Sequence, residues 1–399
     1  ELNGQKYGFD VASIPDSVFE YAENSVKDYN FIVKEADAEG NLTTKRYKIN
    51  LKPDNFSASK SITWMEVSKD KKSEAGVIVA ELPRKQSKYF QYTYTKPADY
   101  TESNTRINDT LSADSVNKVV FKTSDGSAIY NTKDNSSVNI TADFIGNSAS
   151  LSSMISNRGF IGNISGNFMG NFGQAIYNSS NGTAIIGDIT GDFIGNYASG
   201  KGGAIFNNLG TIGNITGNFI GNYVFNANAI GGAIYNSGII GDITGDFIGN
   251  YSSDSVGGAI FNDYDSSIGN IIGDFIGNHS KAYGGAINNS GRTAIGNITG
   301  DFIGNYASYD VGSANGGAID NIGTIGNITG DFIGNYTLGS YSVQGGAIYN
   351  SGTIGDITGN FLSNYVQYLS KYSKLTLGGA VYSNANLSFT AKGKQRFFS

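Results

Sequence analysis

The chain has 399 residues, with 55 glycines, 25 tyrosines, 23 phenylalanines, only 4 prolines and no cysteine. That aromatic content excludes a disordered chain, glycines without a three-residue period exclude collagen, and the missing cysteine excludes a disulfide scaffold. A net charge of −6 and a pI near 4.9 argue against nucleic acid as a partner, because phosphate binding needs clustered Lys and Arg.

The chain opens Glu1-Leu2-Asn3-Gly4 without a charged and apolar leader. That leaves a cytosolic protein, or one whose signal peptide lies outside this sequence. No run approaches the ~18 apolar residues of a membrane-spanning helix.

All four prolines (Pro15, Pro53, Pro83, Pro97), the single Trp64 and 18 of the 28 Lys and Arg fall before Gly126. The shift in composition marks a boundary between residues 100 and 126, giving an N-terminal region 1–120 and a repeat array 121–399. Three strands are expected in the first region. Arg46–Lys52 alternates polar and apolar side chains, Gly76–Leu82 is an apolar run stopped by Pro83, and Tyr89–Thr95 is aromatic and β-branched. The open end of a repeat stack exposes unpaired strand edges, so residues 1–120 are read as a β-rich cap or a set of irregular coils.

From Gly162 a phrase recurs: Ile-Gly-Asn/Asp-Ile-Thr-Gly-Asn/Asp-Phe-Ile-Gly-Asn-Tyr. Its central Ile falls at Ile164, Ile189, Ile215, Ile243, Ile271, Ile298, Ile328 and Ile357, in steps of 25 to 30 residues. The Phe four places on is invariant: Phe168, Phe193, Phe219, Phe247, Phe275, Phe302, Phe332 and Phe361. A second phrase, Gly-Gly-Ala-Ile-Tyr/Phe-Asn, lies between copies, with degenerate forms from Gly126.

A period near 27 residues with invariant columns means one unit stacked on itself. Each unit is broken by four or more glycines and rich in Ile, Thr, Tyr and Phe, which favours strand over helix. The expected fold is therefore all-β: a parallel β-helix with about three short strands per coil, namely Ala-Ile-Tyr-Asn, Gly-Asp-Ile-Thr and Asp-Phe-Ile-Gly-Asn-Tyr. Equivalent residues then stack about 4.8 Å apart, so about nine coils make a rod of roughly 45 Å. Ile189, Ile215, Ile243 and Ile298 join the Phe column as inner ladders. Asn196, Asn222, Asn250, Asn305 and Asn335 form an amide ladder at a turn, together with Asn171, Asn278 and Asn364. Tyr197, Tyr223, Tyr251, Tyr306 and Tyr336 form an aromatic stripe that either offers contact to a glycan or protein or packs at the coil corner. The facing of Ile194, Ile220 and Ile248, which follow the repeat Phe, is left open by the turn beside them.

The alternating Gly-Gly-Ala-Ile and Phe-x-x-Asn tetrapeptides resemble those of the polymorphic outer-membrane protein family of autotransporters, over roughly residues 126–399. The resemblance implies a right-handed β-helical passenger on the bacterial cell surface that acts in adhesion. It implies a host-cell protein or glycan as partner, and a membrane barrel beyond the end at Phe397-Phe398-Ser399. A monomer is expected.

The rival reading is a polysaccharide lyase or hydrolase. A glycosidase needs two carboxylates at a set separation, yet residues 126–399 contain no Glu, and the repeat Asp share columns with Asn (Asp188 with Asn214, Asp192 with Asn218). Asp254, Asp263, Asp265 and Asp310 lie in connectors, and Arg158, Lys201, Lys281 and Arg292 are scattered. His279 replaces a column Tyr, and no His/Cys set for a metal is available. The Thr column (Thr190, Thr216, Thr244, Thr299, Thr329, Thr358) is narrow for an ice-binding ladder. No catalytic residue, metal or cofactor is assigned, and an inert display stalk remains the third reading.

Overall fold

A computed structural model describes residues 139–389, apart from 180–182, 255 and 370–374, together with 127–131 and separate strands between Gly8 and Phe121. All of its regular structure is β. Residues 139–389 form a parallel β-solenoid of about eight turns, each roughly 28 residues long.

The coils from Ile185 to Asn289 carry five short strands each, and their neighbours four or six, where the phrases led us to expect three. One coil runs Ile185–Ile186, Ile189–Thr190, Phe193–Ile194, Tyr197–Ala198 and Ile205–Asn208. The extra breaks are made by glycine. Gly195 (φ +59°) splits the phrase Asp-Phe-Ile-Gly-Asn-Tyr into two strands, and the left-handed backbone there favours a residue without Cβ. Gly245 is confined more tightly still. Its φ is +149°, and an added Cβ would sit 2.0 Å from the carbonyl oxygen of Gly217 in the coil below.

The register is one-to-one between coils. Phe193 pairs with Phe219, Phe219 with Phe247 and Phe247 with Phe275, each ring parallel to the next at a centroid distance of 4.8 Å. The rings from Phe144 to Phe361 line the interior beside the column of Ile189, Ile215, Ile243 and Ile298. A further inner column, Ile186, Ile212, Ile240 and Ile268, comes from the Ile that opens the phrase. Ala204-Ile205 and its equivalents close the core. Each buried Ile or Phe contributes about 1.5–3 kcal/mol, so cohesion accumulates coil by coil.

The Ile after each Phe lies outside that core cluster, because successive residues of a strand point to opposite faces. Ile194, Ile220, Ile248, Ile276, Ile303 and Ile333 are nevertheless all buried.

Parallel pairing begins earlier than residue 121. Thr101–Ser103 pairs with Val119–Phe121, which pairs with Ile140–Ile145. Before it lies a five-stranded antiparallel sheet of Gly8–Phe9, Lys27–Ala36, Leu42–Pro53, Thr63–Lys69 and Lys72–Val77. The expected strand at Arg46–Lys52 falls within Leu42–Pro53. That at Gly76–Leu82 is described only to Val77, and Tyr89–Thr95 lies outside the described residues.

Candidate functional site

The solenoid is organised by four columns of Asn and Asp, and they divide into two chemical kinds. In the first kind the side chain both donates and accepts. Asn196, Asn222, Asn250, Asn305 and Asn335 are fully buried, as are Asn171 and Asn278. Asn250 Nδ2 donates to Asn278 Oδ1 at 2.9 Å and back to the carbonyl of Phe219 at 2.8 Å, while its Oδ1 accepts from the backbone N–H of Asn222 at 2.9 Å. A second buried ladder was not picked out from the sequence. It runs along the Asn that ends Gly-Gly-Ala-Ile-Tyr/Phe-Asn, with Asn207 Nδ2 donating to Asn236 Oδ1 and Asn236 Nδ2 to Asn262 Oδ1, both at 2.8 Å. The signal was in the sequence: every copy from Asn131 to Asn350 is Asn.

In the second kind the side chain is needed only to accept. Asn214, Asp242, Asn270 and Asn297 each receive a backbone N–H from the next coil on Oδ1, at 2.6–2.9 Å. Asp192, Asn218, Asp246, Asp274, Asp301 and Asp331 do the same at 2.7–2.9 Å. Asp and Asn present the same Oδ1, so they interchange freely in these columns. Where Nδ2 must donate into a dry interior, only Asn occurs.

The tyrosine column is a stack set into the coil corner. Tyr223 and Tyr336 are buried, and Tyr197, Tyr251 and Tyr306 are half-buried. Tyr197 stacks on Tyr223 at 5.1 Å and Tyr306 on Tyr336 at 4.8 Å. His279 fills a rung between Tyr251 (4.0 Å) and Tyr306 (4.6 Å), and burial pushes its pKa down to about 3. Burial likewise pushes the Tyr197 hydroxyl up to about 12. The column therefore shows the solvent an edge of packed rings.

Large apolar side chains reach solvent at the tips of the long connectors. Val311 is 71% exposed, Tyr341 65% and Leu369 45%. They sit on three successive coils, joined by hydrogen bonds from Ser340 N–H to Gly312 O (2.9 Å) and from Leu369 N–H to Gly339 O (3.0 Å).

On another face a groove of about 610 Å³ runs past Asp246, Asp274, Asp301 and Asp331, with Thr299 and Thr329 beside them. This is the one stretch of its column where four Asp follow one another. Among the described residues, no group of three or more His, Cys, Asp or Glu is placed to hold a metal. The connector charges are spread out. Asp263 accepts from the Tyr235 hydroxyl at 3.0 Å, Lys281 pairs with Asp254 at 3.0 Å, and Arg158 lies 5.8 Å over the Tyr130 ring. Arg292, Asp265 and Asp310 are exposed.

Comparison with protein-family models, with curated proteins and with solved structures finds no match.

Proposed function

We propose that the chain is a surface-exposed adhesive rod of a bacterium, an autotransporter-type passenger whose partner is a host-cell protein or glycan. The observation that carries this reading is the apolar ridge of Val311, Tyr341 and Leu369 on the longest connectors. Isolated exposed apolar residues are ordinary on a protein surface, but a ridge aligned over adjacent coils favours contact with a partner. In a solenoid, such insertions collect on one face, which is often the binding face. Of the two contact surfaces the sequence offers, the tyrosine column and the variable connectors, this reading keeps the connectors, because the tyrosine rings are largely used in stacking one another.

The test is saturable binding of the purified chain to intact epithelial cells and to a glycan panel. Saturable binding with no change in the ligand supports the adhesin. No binding to either leaves the display stalk ahead.

The acidic groove beside Asp246, Asp274, Asp301 and Asp331 favours a second reading, a carbohydrate-active enzyme. New reducing ends or unsaturated sugars released from a polysaccharide panel would establish it. Against it, each of those four carboxylates already accepts a backbone N–H from the next coil, as Asn does elsewhere in the column.

A further inference from the structure

A seam runs along the outside of the solenoid where two columns meet across the Gly-Gly corner. One column is the residue before the corner: Lys201, Ile230, Val256, Tyr283, Asn315 and Gln344. The other follows the buried Ile of Gly-Gly-Ala-Ile, beginning with Phe206, Tyr235 and Phe261. The two columns pack together, with Tyr235, Val256 and Phe261 forming a cluster joined by Phe206, Ile230 and Tyr283. Lys201 Nζ lies 4.2 Å over the Tyr235 ring and donates to its hydroxyl at 3.1 Å.

Two coils further along, the aromatic column breaks. Phe261 pairs with Asn288, Asn288 with Asp320, and Asp320 with Tyr349, where aromatic residues resume. Asp320 is only 3% exposed and Asn288 only 4%. Across the seam, Asn315 pairs with Tyr283 on one side and Gln344 on the other. Asp320 Oδ1 and Asn315 Oδ1 are both closed to solvent, and neither accepts a hydrogen bond. A buried acceptor without a donor is costly, and a buried carboxylate far more so. With no surface open to water at Asp320 Oδ1, the ligand that fits is a proton.

We propose that Asp320 is a proton-operated latch in this seam: the neutral acid keeps the seam closed, and ionisation opens it and loosens the neighbouring pair Ala314–Asn315 and Ser342–Gln344. Burial pushes the Asp320 carboxyl up from its ordinary 3.8 to about 8, which places the release just above neutral pH. The titratable groups facing it are the phenols of Tyr283 and Tyr349, both pushed up by burial first and by the Asp320 charge second, so they stay neutral through that range. The adjoining strands Ile287–Asn289 and Ser342–Gln344 bring Asn288 and Gln344, which do not titrate. The nearest lysine in the chain before Tyr283, Lys281, is held by Asp254.

The test is hydrogen exchange of the full chain at pH 6 and pH 9, corrected for intrinsic rates. The probes are the amides of Asn315 and Gly316, which donate to Ala282 O (3.0 Å) and Gln344 O (2.9 Å). With a midpoint near 8, the ionised fraction of Asp320 rises from about 1% at pH 6 to about 90% at pH 9, so exchange through the opened seam should rise well over tenfold. In Asp320→Asn the rise should vanish, since Asn288 shows that an amide fits this column. Equal pH responses in the two proteins overturn the latch. Should the variant fail to fold, carboxyl ¹³C titration of the wild type decides: a midpoint near 8 upholds the proposal, and one below about 5 overturns it.

Discussion

The two kinds of Asn column make a sharp prediction, because the same substitution should cost much more in one than in the other. Asn250→Asp removes both donations of a fully buried amide, to Phe219 O at 2.8 Å and to Asn278 Oδ1 at 2.9 Å. The Phe219 carbonyl, left without this donor, costs about 1–3 kcal/mol, while Asn278 Oδ1 keeps the backbone N–H of residue 250 at 2.9 Å and loses one bond worth about 0.5–1.5 kcal/mol, so the loss is about 1.5–4.5 kcal/mol before any charge is considered. Burial would hold the new carboxyl neutral, and a protonated carboxyl recovers at most one of the two donations. Asn218→Asp keeps the acceptor that receives Asp246 N–H at 2.9 Å and loses only a 3.1 Å donation to Asp192. It also creates a run of Asp in a half-buried column, an arrangement the chain already has from Asp246 to Asp331. Its expected cost is about 1 kcal/mol. Urea unfolding followed by far-UV circular dichroism, comparing midpoints at equal slope, measures both. Equal losses, or a larger loss for Asn218→Asp, would refute the division into donor and acceptor columns.

Other outcomes follow from single contacts. Phe275→Ala, in mid-stack with rings at 4.8 Å on both sides, should lose about 3–5 kcal/mol. Asp254→Ala gives up a half-exposed ion pair and should lose about 1 kcal/mol or less in the same urea titration. Gly245→Ala should fail to give soluble folded protein or unfold at much lower urea, since its Cβ would meet the Gly217 carbonyl at 2.0 Å. The His279 ring, held neutral with a pKa near 3, should show flat imidazole shifts by NMR from pH 5 to 8. As pH falls from about 6.5 toward 3, the unfolded chain takes up this proton first, so stability is lost on that side. His279→Tyr should remove that acid sensitivity. Asp320 acts in the opposite sense: stability falls as pH rises from about 4 to about 8, because the unfolded carboxyl ionises first. Asp320→Asn should therefore gain stability at pH 8, with an upper bound on the order of 5 kcal/mol from the shift.

The fold was legible because the period is fixed by invariant residues. A Phe at every turn admits one register, and one-to-one stacking follows from it. Strand number was less legible. The phrase around Phe193 alternates well enough to read as one strand, and only the positive φ of Gly195 shows the corner that divides it. The Ile after each Phe was undecidable for the same reason, since alternation places it opposite the core while the structure buries it. The second amide ladder was visible as an unvarying Asn but lacked a reason until the donor geometry supplied one. The variable length of the connectors was legible and marked them as a possible contact face, but which of their side chains reach solvent, Val311, Tyr341 and Leu369, was not, because that depends on how connectors of different length overlap. The same holds at Asp320, whose burial comes from its neighbours in adjacent coils and not from its own segment.

The central claim, that contact is made by the connector ridge of an otherwise rigid rod, is tested most directly by the combined variant Val311→Ser, Tyr341→Ser and Leu369→Ser. Its binding to epithelial cells should be compared with wild type at matched concentration, alongside urea midpoints for both. These side chains are 45–71% exposed, so the unfolding free energy should stay within about 0.5 kcal/mol of wild type while saturable binding falls at least tenfold. Undiminished binding by a variant of unchanged stability would contradict the account.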